Sequence, residues 1–296
     1  MAFFSWLRNR APIRPPRGRA QHRPAAQRFR PRLEALEGRC VPSTLTVTNL
    51  YDSGPGSLRY EIAQATSKDN SIVFDAKLHG GTITLISGEL VISKSLTIKG
   101  RGQTITSQQL VDASFTPHNG SRIFEVDGAG TNVTISGLTI TGGGGTHVGG
   151  NFNVNDWPNE GYGGAILNFG TLTLSGCTLG GNTMVGPSGL YGNSAEYGGA
   201  IANFGTMTVS NCFVVQNSAA EGGAIYNAGT ATVSGCTLSG NTAHPVDIAN
   251  TWIGGVGDGI YNAGTAAALT VSHSTFSVNN PDDIFGPYVG GHNTFG

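Results

Sequence analysis

From residue 44 onward, apolar and polar positions alternate in short runs. LTVTNL (45–50), TITLISGELVISKSLTIKG (82–100) and VTISGLTITGG (133–143) alternate with period two. That is the spacing of strands with one buried face. One early segment breaks the pattern. SLRYEIAQATS (57–67) places Leu58, Ile62 and Ala65 at helical spacing, behind Ser57 as N-cap. It predicts a short helix that covers the first exposed sheet edge.

The alternation then repeats as a sentence. GGAILNFGTLTLSGCTLGGNTM (163–184) returns as GGAIANFGTMTVSNCFVVQNSA (198–219), GGAIYNAGTATVSGCTLSGNTA (222–243) and, more loosely, GDGIYNAGTAAALTVSHSTFSVNN (257–280). Cys177, Cys212 and Cys236 lie 35 and 24 residues apart, and so do the glycine pairs at 163, 198 and 222. The shorter step is one uninterrupted coil. It has room for three short strands and their turns, but not for a propeller blade.

Apolar residues fall into three columns. Leu172/Leu174, Met207/Val209, Ala231/Val233 and Leu269/Val271 form one, with Val133/Ile135 upstream. Cys177/Leu179, Cys212/Val214, Cys236/Leu238 and Ser274/Phe276 form a second, matched by Leu138/Ile140 and Leu96/Ile98. Ile166, Ile201, Ile225 and Ile260 form the third. Three inward faces per coil predict an all-β, right-handed parallel β-helix: a three-sided solenoid with a short N-terminal capping helix. Asn168, Asn203, Asn227 and Asn262 align at one turn, and Asn182, Asn217 and Asn241 at another. Such ladders pass amide hydrogen bonds from coil to coil. The three Cys occupy a column that other coils give to Leu, which makes them small core residues. Stacked neighbours also lie within disulfide range, so pairing stays open.

Charge divides the chain. Residues 1–40 hold ten Arg, no Lys and two Glu, a balance of +8. Residues 41–122 hold seven basic and six acidic residues, +1, and residues 123–296 hold ten acids and no Lys or Arg, −10. An acidic body without a basic side chain argues against nucleic acid as a partner. Segment 1–42 is too rich in Arg and Pro to bury a core, so it reads as a disordered targeting or envelope segment ahead of a β-helix domain at 43–296. No apolar run reaches the ~20 residues of a membrane-spanning helix. Zinc spacings, P-loop, GxSxG and HExxH patterns are absent from the sequence. No metal or cofactor is expected. GGVGDG (254–259) comes near a calcium nonapeptide, but its Asp is one place early, and it reads as the repeat's own glycine pair.

GGAI followed by Asn and GT, a strand and a closing GN resembles the parallel β-helix repeats of bacterial polymorphic outer-membrane proteins, and more widely the pectin-lyase-like fold. TVTNLYDSGPGSLRYEIAQA (46–65) is similar to the N-terminal cap of secreted bacterial β-helix proteins. RPRLEALEGRCVPS (30–43) resembles a LEPR-type motif of large bacterial envelope proteins. The resemblance implies an exported, extracellular or cell-surface protein. It leaves function open, because the fold carries lyases, hydrolases, adhesins and scaffolds. Pectate-lyase relatives abstract a proton with a basic residue, and none follows Arg122 here.

Departures from the 24-residue coil mark a corner. Long loops at 144–162, 183–197 and 242–256 leave the same turn, while the coil between the last two has only a tight one. The pattern predicts a notch with Ser218-Ala219-Ala220-Glu221 as its floor. Trp157, Tyr162, Tyr191, Tyr197 and Trp252 lie in the walls and are the candidate ligand-binding residues. Aromatic faces with a few carboxylates suit sugar rings; packing of the loops onto their own scaffold is the competing reading. Glu221 and Asp258, on adjacent coils and one position apart in phase, and Glu196 are the candidate catalytic acids, since glycosidases need two carboxylates within reach. The expectation is a glycan-binding, adhesive or envelope-scaffold protein. The alternative is a polysaccharide-degrading enzyme, a hydrolase rather than a lyase.

Overall fold

Strands of three to five residues cannot hold themselves; stacking gives each a partner above and below. The structure, a computed structural model, describes residues 44–67, 70–108, 110–111, 117–118, 120–146, 161–182, 197–248, 251–265, 268–279 and 282–296. The chain divides into two units, Met1–Arg39 and Cys40–Gly296, and every described residue belongs to the second. The segment read as disordered, 1–42, lies outside the described residues.

Three long parallel sheets, of nine, seven and eight strands, form a parallel β-helix. One coil visits them in a fixed order. Ile166–Asn168 lies in the seven-stranded sheet, Thr171–Ser175 in the nine-stranded sheet and Thr178–Gly180 in the eight-stranded sheet. The three are called the second, first and third sheet below. Register follows the sequence columns: Leu172 pairs with Met207, Met207 with Ala231 and Ala231 with Leu269. In the second sheet Ile166, Ile201, Ile225 and Ile260 stack in turn. One sequence match is corrected. Leu96 and Ile98 pair with Val133 and Ile135 in the first sheet, not with the Leu138/Ile140 column. Ile83 and Ile105 supply the third sheet there, because a turn at Gly100–Gly102 follows Lys99 before the next strand begins at Thr104.

The helix Leu58–Gln64 begins where expected, with the Ser57 side chain accepting from the Tyr60 backbone N–H. Leu58, Ile62 and Ala65 join the same apolar core as the strands. Arg59 ties the helix down, donating to Asp52 at 2.8 Å and to the Gly88 and Glu89 carbonyls.

Corners create the problem that strand pairing cannot solve, because backbone groups there are buried without a strand partner. Side chains fill the gap. Asn168 Nδ2 donates to Asn203 Oδ1, Asn203 to Asn227 and Asn227 to Asn262, at 2.7–2.8 Å. Each of the first three also donates to a glycine carbonyl two residues on and to a carbonyl of the next coil. A second ladder runs Asn182, Asn217, Asn241, Asn279, with each Oδ1 after the first accepting both a backbone and a side-chain N–H from the coil before. Among the described residues no buried side-chain nitrogen or oxygen lacks a partner.

The cysteines extend the same logic. Cys177 N–H donates to Cys212 Sγ, Cys212 N–H to Cys236 Sγ and Cys236 N–H to Ser274 Oγ. The three are buried free thiols, and each of the last two doubles as a corner acceptor. Gly163, Gly198, Gly222 and Gly257 sit at φ between +63° and +72°, and a Cβ at Gly222 would meet the Ile225 carbonyl oxygen at 2.4 Å. The glycine repeat is therefore a steric requirement of the turn into the second sheet.

Replacing Asn203 by Ala removes three donated bonds and the acceptor of the Asn168 amide. We expect a loss of about 3 kcal/mol in unfolding free energy, read by denaturant unfolding followed by circular dichroism. A loss under about 1 kcal/mol would show that the ladder contributes little beyond packing.

Candidate functional site

The outer face of the second sheet carries the aromatic residues. Strands there show their middle residue outward: Val91, Glu125, Leu167, Ala202, Tyr226, Tyr261 and Phe285 in successive coils. Two flanking columns run beside it. Tyr162, Tyr197, Glu221 and Val256 bridge in parallel on one side. Phe169 and Phe204 follow the ladder asparagines on the other.

Volumes in the three columns are complementary. Where the middle residue is Leu167 or Ala202, the flanks are Tyr162, Tyr197, Phe169 and Phe204. Where the middle residue is Tyr226 or Tyr261, the flanks are Glu221, Val256, Ala228 and Ala263. The rings therefore make one continuous cluster. Tyr162 stacks on Tyr197 at 5.0 Å between centroids, Tyr197 meets Tyr226 at 4.6 Å, Tyr226 stacks on Tyr261 at 5.4 Å and Tyr261 on Phe285 at 5.3 Å. Phe204 joins edge-on to Tyr162 and stacks on Phe169. All are half-buried except Phe285, which is 42 % exposed and closes the row.

Stacked rings turn their faces to one another. What they offer outward is ring edges and phenol groups rather than the open faces expected for sugar stacking. Burial first, then the nearby Tyr197 and Glu221 charges, pushes the Tyr226 phenol up to about 12. Burial likewise raises Tyr197 and Tyr261. Tyr197, Tyr226 and Tyr261 thus present neutral hydroxyls at physiological pH.

Glu221 stands inside this row as its acid. Burial pushes its carboxyl above the ordinary value of 4.5. At the N-terminal end of the same face lies a different device. Arg122 is 1 % exposed and pairs with Glu89 at 2.6 Å and Glu125 at 3.0 Å. Burial and the Glu89 charge raise the Glu125 carboxyl, against the pull of Arg122. Arg122 Nε also donates to the Tyr162 backbone carbonyl, at the start of the row.

The expected catalytic pair does not assemble. Glu221 bridges to Val256, so Asp258 lies two positions past its partner rather than one. Asp258 is 0 % exposed, and its two oxygens accept from the Ala243 and Asp282 backbone N–H groups at 2.7 and 3.1 Å. It replaces the second glycine of the repeat and locks the last turns together. Of the other candidates, Tyr162 and Tyr197 fall in the row. Glu196, Trp157 and Tyr191 lie outside the described residues. Trp252 is on the hairpin Pro245–Ile248/Thr251–Gly254, which rises from the 242–256 loop and pairs antiparallel.

The notch floor is not open either. Ala219 and Ala220 are 2 % exposed, under the base of that hairpin, where His244 and Gly255 donate to their carbonyls. A groove of about 280 Å³ lies between the helix and the strand Leu90–Ile92. Its charged groups are engaged: Arg59 with Asp52, Lys94 with the Ala63 and Ala65 carbonyls, Glu89 with Arg122. Among the described residues no cluster of His, Cys, Asp or Glu could hold a metal ion, and no helix is long and apolar enough to cross a membrane.

Sequence reading missed Tyr226, Tyr261, Phe169, Phe204 and Phe285. The signal was present in the repeat: the residue between Ile and Asn in GGAIYN and GIYN must point outward, and Tyr there is surface, not core.

Against known proteins, no family model matches the chain, and no curated protein matches it.

Because Glu221 binds its proton more tightly in the folded state, its ionisation costs stability. The contribution is full below about 4.5 and is lost as pH rises through the elevated folded value. Glu221→Gln therefore melts at a higher temperature than the parent at pH 7, and the two curves converge below pH 4.5. Parallel melting curves at several pH values check this. A constant gap would remove burial as the cause.

Proposed function

We propose that the protein is an exported or cell-surface β-helix that binds a glycan, or another hydroxyl-rich envelope component, along the aromatic row of its second sheet. One observation carries the reading: Tyr162, Tyr197, Tyr226 and Tyr261 form a continuous half-exposed line, with Glu221 among them. A line of phenol donors and acceptors beside one carboxylate suits a polymer of hydroxyls. Residues 123–296 carry ten acids and no base, so neutral polymers are favoured over uronate-bearing ones. The envelope setting rests on the repeat and N-terminal resemblances.

Polysaccharide hydrolysis is the second reading. It rests on Glu221, whose raised carboxyl suits a general acid. Asp258 is withdrawn as its partner by its two backbone bonds.

The test is affinity electrophoresis of the full chain through gels of neutral and acidic polysaccharides. Retardation by a neutral polymer is expected, with no release of reducing ends. Tyr226→Ala/Tyr261→Ala should weaken it about tenfold, at roughly 1 kcal/mol or less per ring. Uniform mobility across the panel removes the glycan reading. New reducing ends that vanish in Glu221→Gln replace it with the hydrolase.

A further inference from the structure

Five neighbouring strands of the first sheet carry an unbroken block of hydroxyls on their outer face. Strands Thr171–Ser175, Thr206–Ser210 and Thr230–Ser234 each present Thr, Thr and Ser outward. The strands on either side, Asn132–Ser136 and Leu269–Ser272, continue the last two columns with Thr and Ser. Register across these five strands runs without a shift. The result is a rectangular grid of hydroxyls. Its step is about 4.8 Å along the solenoid axis and about 6.6 Å along a strand, two residues on.

Strand propensity alone does not explain the uniformity, because outward strand positions accept aromatic and aliphatic residues equally well. This chain uses that freedom elsewhere. The third sheet is also mostly Thr and Ser outward, but Phe213, 55 % exposed, and Val215 interrupt it, and the second sheet puts Tyr226 and Tyr261 outward. The five strands of the grid also contain no Asp, Glu, Lys or Arg, although residues 123–296 carry ten acids.

The grid is held rigidly. The inward residues beneath it, including Leu172, Leu174, Met207, Val209 and Val233, are at most 1 % exposed. In the middle column Thr173, Thr208 and Thr232 are each flanked by Thr on the coils above and below, which limits their rotamers. Ser210 Oγ is also fixed, donating to the Leu174 carbonyl at 3.3 Å. A surface with so little freedom to lose binds a rigid lattice at small entropic cost.

We propose that this face binds ice. Ice is uncharged, presents hydroxyl-like donors and acceptors, and repeats in two perpendicular directions. The axial step of the grid is slightly longer than the shorter of those repeats, and the step along the strand slightly shorter than the longer one. An uncharged face matches an uncharged lattice, and ordered waters over the hydroxyls would already sit near lattice positions. The site is separate from the aromatic row and does not depend on its function.

The test freezes the full chain slowly with an inert protein of similar size and measures what enters the ice. It also measures thermal hysteresis and the coarsening of ice grains. The parent chain should enter the ice and slow coarsening. Thr173→Tyr/Thr208→Tyr, which raises two rings from the middle of the grid, should lower incorporation at least tenfold with an unchanged circular-dichroism spectrum. Thr232→Tyr, on the neighbouring coil, repeats the test should that double variant not fold. Tyr226→Ala, on the other face, should bind ice as the parent does. Exclusion of the parent from ice, or full incorporation of the grid variants, overturns the proposal.

Discussion

Each coil of a three-sided solenoid must turn three corners, and each corner buries backbone groups that no strand can pair. This constraint organises the chain more than hydrophobic burial does, since burial alone accepts many side chains. Asn meets it best, because one amide can accept from the coil before and donate to the coil after. The ladders Asn168–Asn262 and Asn182–Asn279 do this at two corners. Cys212, Cys236 and Ser274 provide acceptors in a third column, with sulfur where a less polar acceptor suits the core. Stability is then local to neighbouring coils, as in other solenoids.

A corner ladder fixes register, and register fixes what the outside can be. One residue of slip would turn every outward side chain into the core. With the inside held by Leu172, Met207, Ala231 and Leu269 in strict succession, the outward positions are free to differ from sheet to sheet. They differ strongly. The second sheet shows a row of rings, five strands of the first an unbroken block of hydroxyls, and the third hydroxyls interrupted by Phe213, Val215 and Gly180. One scaffold thus carries surfaces of separate chemistry without a change of backbone.

The parts legible in the sequence were those that repeat. The Ile166, Ile201, Ile225 and Ile260 column, both Asn ladders short of Asn279 and the Ser57 cap could be placed from spacing alone, because each is dictated by a neighbour one coil away or within one turn. The Leu96/Ile98 assignment failed where the repeat fades: upstream of residue 120 the GGAI phrase with its following Asn is missing, and two sheets then offer the same alternating pattern. The site was legible only in part. Tyr162 and Tyr197 stood out because they end long loops, whereas Tyr226 and Tyr261 hid inside the repeat. Asp258 looked like an exposed acid because a glycine normally holds its place; its burial depends on the turn at Asp282, which no repeat predicts.

The aromatic row shows how the two levels meet. Ring size alternates between the middle and flanking columns, so that coils with Ala202 between their neighbours hold Tyr197 and Phe204 outside, and coils with Tyr226 hold only Glu221 and Ala228 there. A second aromatic residue at position 221 would compete with Tyr226 for one volume. The small, charged side chain fits the space that remains, and its burial among rings is what raises its carboxyl. Glu221 therefore owes its unusual proton affinity to packing rather than to a charge partner. A side chain so placed is set by the same coil-to-coil volumes that hold the fold.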